Sequence, residues 1–108
     1  MNTLTNVAID SFNERAINVY FNLDGVEHFA TLSIGNHTFE IVDESFAHEF
    51  GVEKAFGYEF DAHLYLTYLE DSEGVETTLD EDVLVSLKEV VLEEMQEQSP
   101  QEMYEMFN

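Results

Sequence analysis

The clearest alternation of apolar and polar positions lies between Ala16 and Leu23. A two-residue period of this kind predicts a β-strand with one buried face. Asp24-Gly25 follows directly, and this dipeptide between two alternating segments favours a two-residue hairpin, so Val26–Ile34 is predicted to be the antiparallel return strand. The face expected to be buried on the first strand carries Ile17, Val19, Phe21 and Leu23, with Asn18, Tyr20 and Asn22 on the other face.

Three further segments alternate in the same way. Leu4–Ile9 predicts a short first strand, and Gly35-Asn36 predicts a second two-residue turn that leads into a strand over His37–Val42. The longest alternating run is Tyr58–Tyr68, which predicts a long antiparallel strand with one wet face. Its apolar positions end with Tyr68, and its wet face carries Glu59, Asp61, His63, Tyr65 and Thr67.

Helix signals follow the strands. Asp43 is a candidate N-cap for a short helix that ends at Gly51, and Thr78-Leu79-Asp80-Glu81 fits a capping box for a helix that extends to about Gln98. Ser99-Pro100-Gln101-Glu102 fits a second capping box, with proline at the first helical position. The sequence therefore predicts one α+β domain over residues 1–108, an antiparallel sheet of about four strands with C-terminal helices packed against it. The face of the main helix that packs on the sheet consists of Val83, Leu84, Leu87, Val90, Val91 and Met95.

Composition supports a folded core and identifies charge as the unusual property. Of the 108 residues 44% are hydrophobic and 13% aromatic, far more than in a disordered acidic tail. Asp and Glu total 24 against only three Lys and Arg, so the formal net charge is -21. Solubility alone needs a net charge of magnitude about 2–8, and a larger one destabilises the compact state by self-repulsion. The excess indicates a function, and it excludes direct binding to nucleic acid or to an anionic membrane.

Several classes of site have no support in the residues. The chain lacks Cys, and its four His have no metal-motif spacing, so neither a metal nor another cofactor is expected. We find no phosphate-binding glycine loop and no nucleophile motif, and an enzyme is therefore not expected. The N-terminal segment has no basic region followed by an apolar run, and no stretch approaches the about 20 apolar residues of a membrane span. We expect a cytoplasmic protein.

The main helix carries the candidate binding residues on the face opposite its apolar positions. Glu89, Glu93 and Glu97 are each one i,i+4 step apart, which is about 6 Å of axial rise. With the neighbouring acids, seven carboxylates follow about 27 Å of helix. That is one charge per about 4 Å, close to the one per about 3.4 Å of a single DNA strand. The residues predicted to bind a partner are Asp82, Glu89, Glu93 and Glu97 on the helix and Glu70, Asp71 and Glu73 in the preceding loop.

In length, charge and carboxylate spacing the whole chain resembles the small acidic DNA-mimic inhibitors, many of which phages or plasmids encode against restriction or CRISPR enzymes. These inhibitors have many unrelated folds and share no motif, so the resemblance assigns no individual residue. It implies a basic, nucleic-acid-binding protein as the partner, in the cytoplasm of a bacterial host. Two alternatives stay open: an immunity protein or antitoxin that neutralises a basic toxin such as a nuclease, and a housekeeping domain from a high-salt organism.

The C-terminal segment Met103–Phe107 is too apolar to be an exposed terminus without packing contacts. It either folds back to close the core or forms a contact with a second copy or a partner. In the second case a homodimer through Met103–Phe107 is expected, and Tyr104 or Phe107 would serve as anchors for a toxin.

Overall fold

The computed structural model describes residues 3–43, 57–98 and 100–107. A four-stranded antiparallel sheet with strand order β1-β2-β3-β4 precedes two helices, which confirms the predicted α+β class. The elements are β1 (Leu4–Phe12), β2 (Ala16–Leu23), β3 (Val26–Asp43), β4 (Gly57–Glu70), α1 (Glu81–Gln96) and α2 (Pro100–Phe107).

The hairpin between β2 and β3 forms as predicted. Asp24 and Gly25 have φ values of 53° and 81°, the two positive angles of the type I′ turn that matches the twist of paired strands. The register then runs without interruption from the pair Leu23 and Val26 to the pair Ala16 and Ser33. The alternation places Ile17, Val19 and Phe21 in the core, with almost no exposed surface.

The predicted turn at Gly35-Asn36 is wrong, because β3 continues through it to Asp43. Only the register with β4 shifts at this point, between Ile34 and His37. The glycine is explained by a close approach, since a Cβ at Gly35 would lie 2.7 Å from Cε2 of Tyr65. The strand predicted over His37–Val42 is therefore the second half of β3 rather than the third strand of a meander.

The predicted alternation in β4 holds until one extra residue reverses it. The pairing with β3 passes from Leu66 to Tyr68, which leaves Thr67 as a bulge whose hydroxyl donates to the Thr31 carbonyl at 3.1 Å. Tyr68 consequently faces solvent and Leu69 is buried, although Tyr68 was expected on the apolar side.

Helix α1 begins later than the predicted capping box, with Asp80 as its N-cap. Glu76 bridges Glu70, and the Thr77 N–H donates to the Leu69 carbonyl at 3.0 Å. Because this segment is extended along the edge of β4, Thr78 cannot be the residue that starts the helix. The helix ends at Gln96, contacts β1 and β4, and buries Val83, Leu87, Val91 and Met95.

Helix α2 begins at Pro100, as the sequence predicts, and folds back on the core. Met103 and Phe107 are buried, and the Phe107 ring centroid lies 4.7 Å from that of Phe60 on β4. The segment thus closes the core of its own chain. The short helix predicted between Asp43 and Gly51 lies outside the described residues.

Candidate functional site

The predicted helix residues form a continuous exposed row. We call this row the acidic stripe: it consists of Asp82, Ser86, Glu89 and Glu93 on α1 and of Glu97, the C-cap of the helix, and all five are exposed away from the buried face. The structure contains no buried charged side chain in the part of the chain that it describes. The carboxylates of the stripe are therefore available to a partner along the whole length of the helix.

Contacts at the C-terminal end of α1 hold the stripe in place. The Tyr58 hydroxyl donates to the carbonyl oxygens of Met95 at 2.6 Å and Gln98 at 3.0 Å. The Gln96 amide oxygen accepts the Phe60 N–H at 3.2 Å, and its Nε2 donates to the Phe60 carbonyl. Gln96 thereby pairs with the edge of β4 as another strand would. These bonds fix a helix end whose last turn has no basic residue to oppose its negative dipole.

The protonation of Tyr58 suits this role. Burial raises the pKa of Tyr58 from 10.0 to about 12, and the nearby charge of Glu102 acts in the same direction. The hydroxyl therefore stays protonated and keeps donating to the helix carbonyls at all ordinary pH values.

The loop carboxylates have partly structural roles. One oxygen of Asp71 accepts the backbone N–H groups of Glu73 at 2.9 Å and Val75 at 3.1 Å, which shapes the turn after β4. Glu70 accepts the Tyr68 hydroxyl at 2.7 Å, and this bond raises the pKa of Tyr68. Glu73 is exposed. The seven predicted residues thus form two groups on separate elements, the stripe on α1 and the loop at the end of β4.

The structure also reveals a surface that the sequence reasoning did not single out. We call the sheet face opposite the helices the open face. Tyr65, Tyr20 and Tyr68 lie on it with 53%, 42% and 37% of their surface exposed. The signal was present in the alternation, because Tyr20 and Tyr65 occupy the polar positions of β2 and β4. Aromatic side chains at solvent-facing positions of a sheet are outside the core and offer a large apolar area for contact with a binding partner.

Hydrogen bonds and aromatic packing order the open face. The Asn18 amide donates to the Ser11 hydroxyl at 3.0 Å and accepts from the Thr31 hydroxyl at 2.8 Å, so one polar ladder crosses β1, β2 and β3. In the next row Tyr20 packs against Phe29 with ring centroids 5.0 Å apart. These contacts order the part of the open face around Asn18 and Tyr20, which lowers the side-chain entropy that this part loses on binding.

No family model, curated protein or solved structure matches this chain. Neither helix within the described ranges has the length and apolarity to cross a membrane. The same residues contain no group of three or more His, Asp or Glu side chains placed to hold a metal ion.

Proposed function

We propose that the protein is an acidic inhibitor that mimics the charge of nucleic acid and blocks a DNA- or RNA-binding host defence enzyme of the restriction or CRISPR type. The acidic stripe is the observation that carries the proposal. Glu89 and Glu93 project from a helix that is anchored on its opposite face, at an axial spacing of about 6 Å, and Glu97 continues the row as the C-cap. The partner would be a basic, nucleic-acid-binding protein in the cytoplasm of a bacterial host.

The energetics of the stripe support this function. Like charges at i,i+4 destabilise a helix by about 0.2–0.5 kcal/mol per pair, and no core packing requires them at exposed positions. A partner surface rich in Lys and Arg makes the contribution of these carboxylates favourable, because its positive charges neutralise them. The charge pattern is unfavourable in the free protein and favourable in a complex, which is what selection for binding a cationic groove would produce.

The distribution of the charge over the molecule supports the same conclusion. The described part is elongated, with dimensions of 48 × 24 × 22 Å. Its long axis equals about 14 steps of 3.4 Å along a DNA duplex. Acidic side chains occur on the sheet, in the loop after β4 and on α1, so negative potential surrounds the body and would steer association with a basic groove.

The test is affinity capture on the immobilised protein from lysates of candidate host bacteria, with elution by salt or by added duplex DNA and identification by mass spectrometry. We expect one nucleic-acid-handling enzyme that elutes at moderate salt and is displaced by DNA. Release of many unrelated basic proteins at low salt would contradict a dedicated partner. Capture with the variant pair Glu89→Gln and Glu93→Gln should recover less of the enzyme than capture with the matched pair Glu14→Gln and Glu102→Gln, all four positions being exposed.

A second candidate is an immunity protein or antitoxin against a basic toxin, and the exposed tyrosines favour it. Such a protein needs apolar anchors for specificity, but the structure buries Phe107, one of the two anchors that the sequence suggested. Tyr20, Tyr65 and Tyr68 on the open face would take that role. A captured basic toxin that added DNA does not displace would support this candidate over nucleic-acid mimicry.

A further inference from the structure

We propose that the open face binds an arginine-bearing segment of the partner, with guanidinium groups stacked on the exposed tyrosines. This inference rests on the proposed function in one respect, namely that the partner is basic. It adds a second contact surface, on the side of the molecule opposite the acidic stripe, and it specifies Arg rather than Lys as the residue recognised.

Contacts within the open face hold the tyrosine side chains in place. Tyr65 passes over Gly35, where a Cβ would lie 2.7 Å from its ring, and His63 stacks on it with centroids 5.7 Å apart. Tyr68 is fixed through its hydroxyl, which donates to Glu70 at 2.7 Å. Both residues still expose more than a third of their surface. Planar cations bind to the faces of such rings, and Arg does so more often than Lys.

Carboxylates lie on the open face on both sides of the three exposed tyrosines. Glu27 on β3 and Glu70 on β4 lie at one end, in register with Asn22 and Phe29. At the other end Glu40 lies directly opposite Glu59, next to the pair of Thr38 and Asp61. Like charges directly opposite each other destabilise a sheet, so a cation bound there relieves a repulsion. A guanidinium also offers planar, two-pronged hydrogen bonding to carboxylates that an ammonium lacks.

Aromatic side chains on a four-stranded sheet are also typical of surfaces that stack single-stranded RNA bases. Those surfaces combine the aromatic rings with positive charge along the path of the backbone. Here the acidic residues on the same face of the sheet are Glu27, Glu40, Glu59, Asp61 and Glu70, which repel phosphate. The charge therefore favours a cationic peptide segment and disfavours a nucleic acid.

The test compares binding of oligoarginine and oligolysine peptides of equal length to the full chain, by calorimetry at moderate salt. We expect oligoarginine to bind about tenfold more tightly, because each exposed stacking contact is worth a factor of about 2–5. The variants Tyr20→Thr and Tyr68→Thr should each reduce this preference and in combination remove it, and they should weaken oligolysine binding less than oligoarginine binding. Val85→Thr, at an exposed apolar position on α1, is the control and should keep the preference.

Backbone amide shifts in NMR spectra locate the peptide. Oligoarginine should shift amides of β2 and β4 more than oligolysine does, and the shifts of α1 should be alike for both peptides. Equal affinities, a preference that survives the tyrosine variants, tighter binding of oligouridine than of oligoarginine, or dimerisation of the free chain through this face would each overturn the inference. None of these results bears on displacement of a captured enzyme by DNA, so the two proposals fail separately.

Discussion

Replacing Glu93 by Gln should stabilise the free protein, although it removes a charge that we assign to binding. Glu93 lies one i,i+4 step from Glu89 and one from Glu97, and all three side chains are exposed. Each repulsive pair costs about 0.2–0.5 kcal/mol, so the single substitution removes about 0.4–1 kcal/mol of repulsion. Gln and Glu have nearly the same helix propensity, so the backbone contributes little to the difference.

Thermal and urea unfolding at low ionic strength measure this effect. For a domain of this size we expect the Tm to rise by about 2–8 °C relative to the unmodified chain. Glu14→Gln is the matched control, since Glu14 is exposed in the β1–β2 connection and loses the same charge outside any helix. Comparing the two variants separates repulsion along the stripe from the general effect of a lower net charge.

Salt provides an independent check on the same substitution. At about 1 M salt the screening length falls to about 3 Å, so the gain from Glu93→Gln should almost vanish. A gain that persists at high salt would show that the effect is not electrostatic. A Glu93→Gln variant no more stable than Glu14→Gln at low salt would refute the argument that the stripe destabilises the free protein.

Three further substitutions test the packing that holds the site. Tyr58→Phe should lower the free energy of unfolding by about 1–2 kcal/mol in urea titrations, because the hydroxyl's hydrogen bonding to the Met95 and Gln98 carbonyls is lost. The pKa of Tyr58 rises from 10.0 to about 12 on folding, so its contribution is complete below pH 10 and is lost as the pH rises through 12. The difference between the unmodified chain and Tyr58→Phe should shrink over that range, and a constant difference would contradict the assignment. Gly35→Ala should destabilise by about 1–3 kcal/mol through overpacking against the Tyr65 ring, and less in a Tyr65→Thr background, whereas additive effects would exclude the contact. Leu87→Ala should cost about 2–5 kcal/mol at a fully buried position of α1, and the exposed control Val85→Ala less than about 0.5 kcal/mol.

The local pattern predicted those parts of the fold whose causes are local. The alternation and the Asp24-Gly25 dipeptide define the bounds of β2 and the turn that follows it. Gly35 was misinterpreted because a glycine that signals a turn and one that accommodates a ring look alike in sequence. The ring belongs to Tyr65, and only the pairing of β3 with β4 brings the two together. The bulge at Thr67 likewise reversed the alternation of β4 through a contact that no local pattern encodes.

In the candidate site, too, some features follow from the local sequence and others depend on contacts between distant residues. Exposure of Glu89, Glu93 and Glu97 follows from the helical period, because the apolar face of α1 fixes the direction of the other face. The bonds from Tyr58 and Gln96 that hold this helix cross 36 to 40 residues of sequence, so they could not be predicted from spacing. The open face was visible only as Tyr residues at polar positions, and its importance depends on the helices covering the opposite side of the sheet.

The most direct test of nucleic-acid mimicry is a competition titration on the captured enzyme with labelled duplex DNA bound. The account predicts that the unmodified protein displaces the DNA completely, and that added salt weakens the displacement. The pair Glu89→Gln and Glu93→Gln should displace DNA less well than the matched pair Glu14→Gln and Glu102→Gln, which removes the same charge at exposed positions that are not part of the stripe. An enzyme that binds the protein and the DNA at the same time, with neither weakening the other, would contradict the central claim.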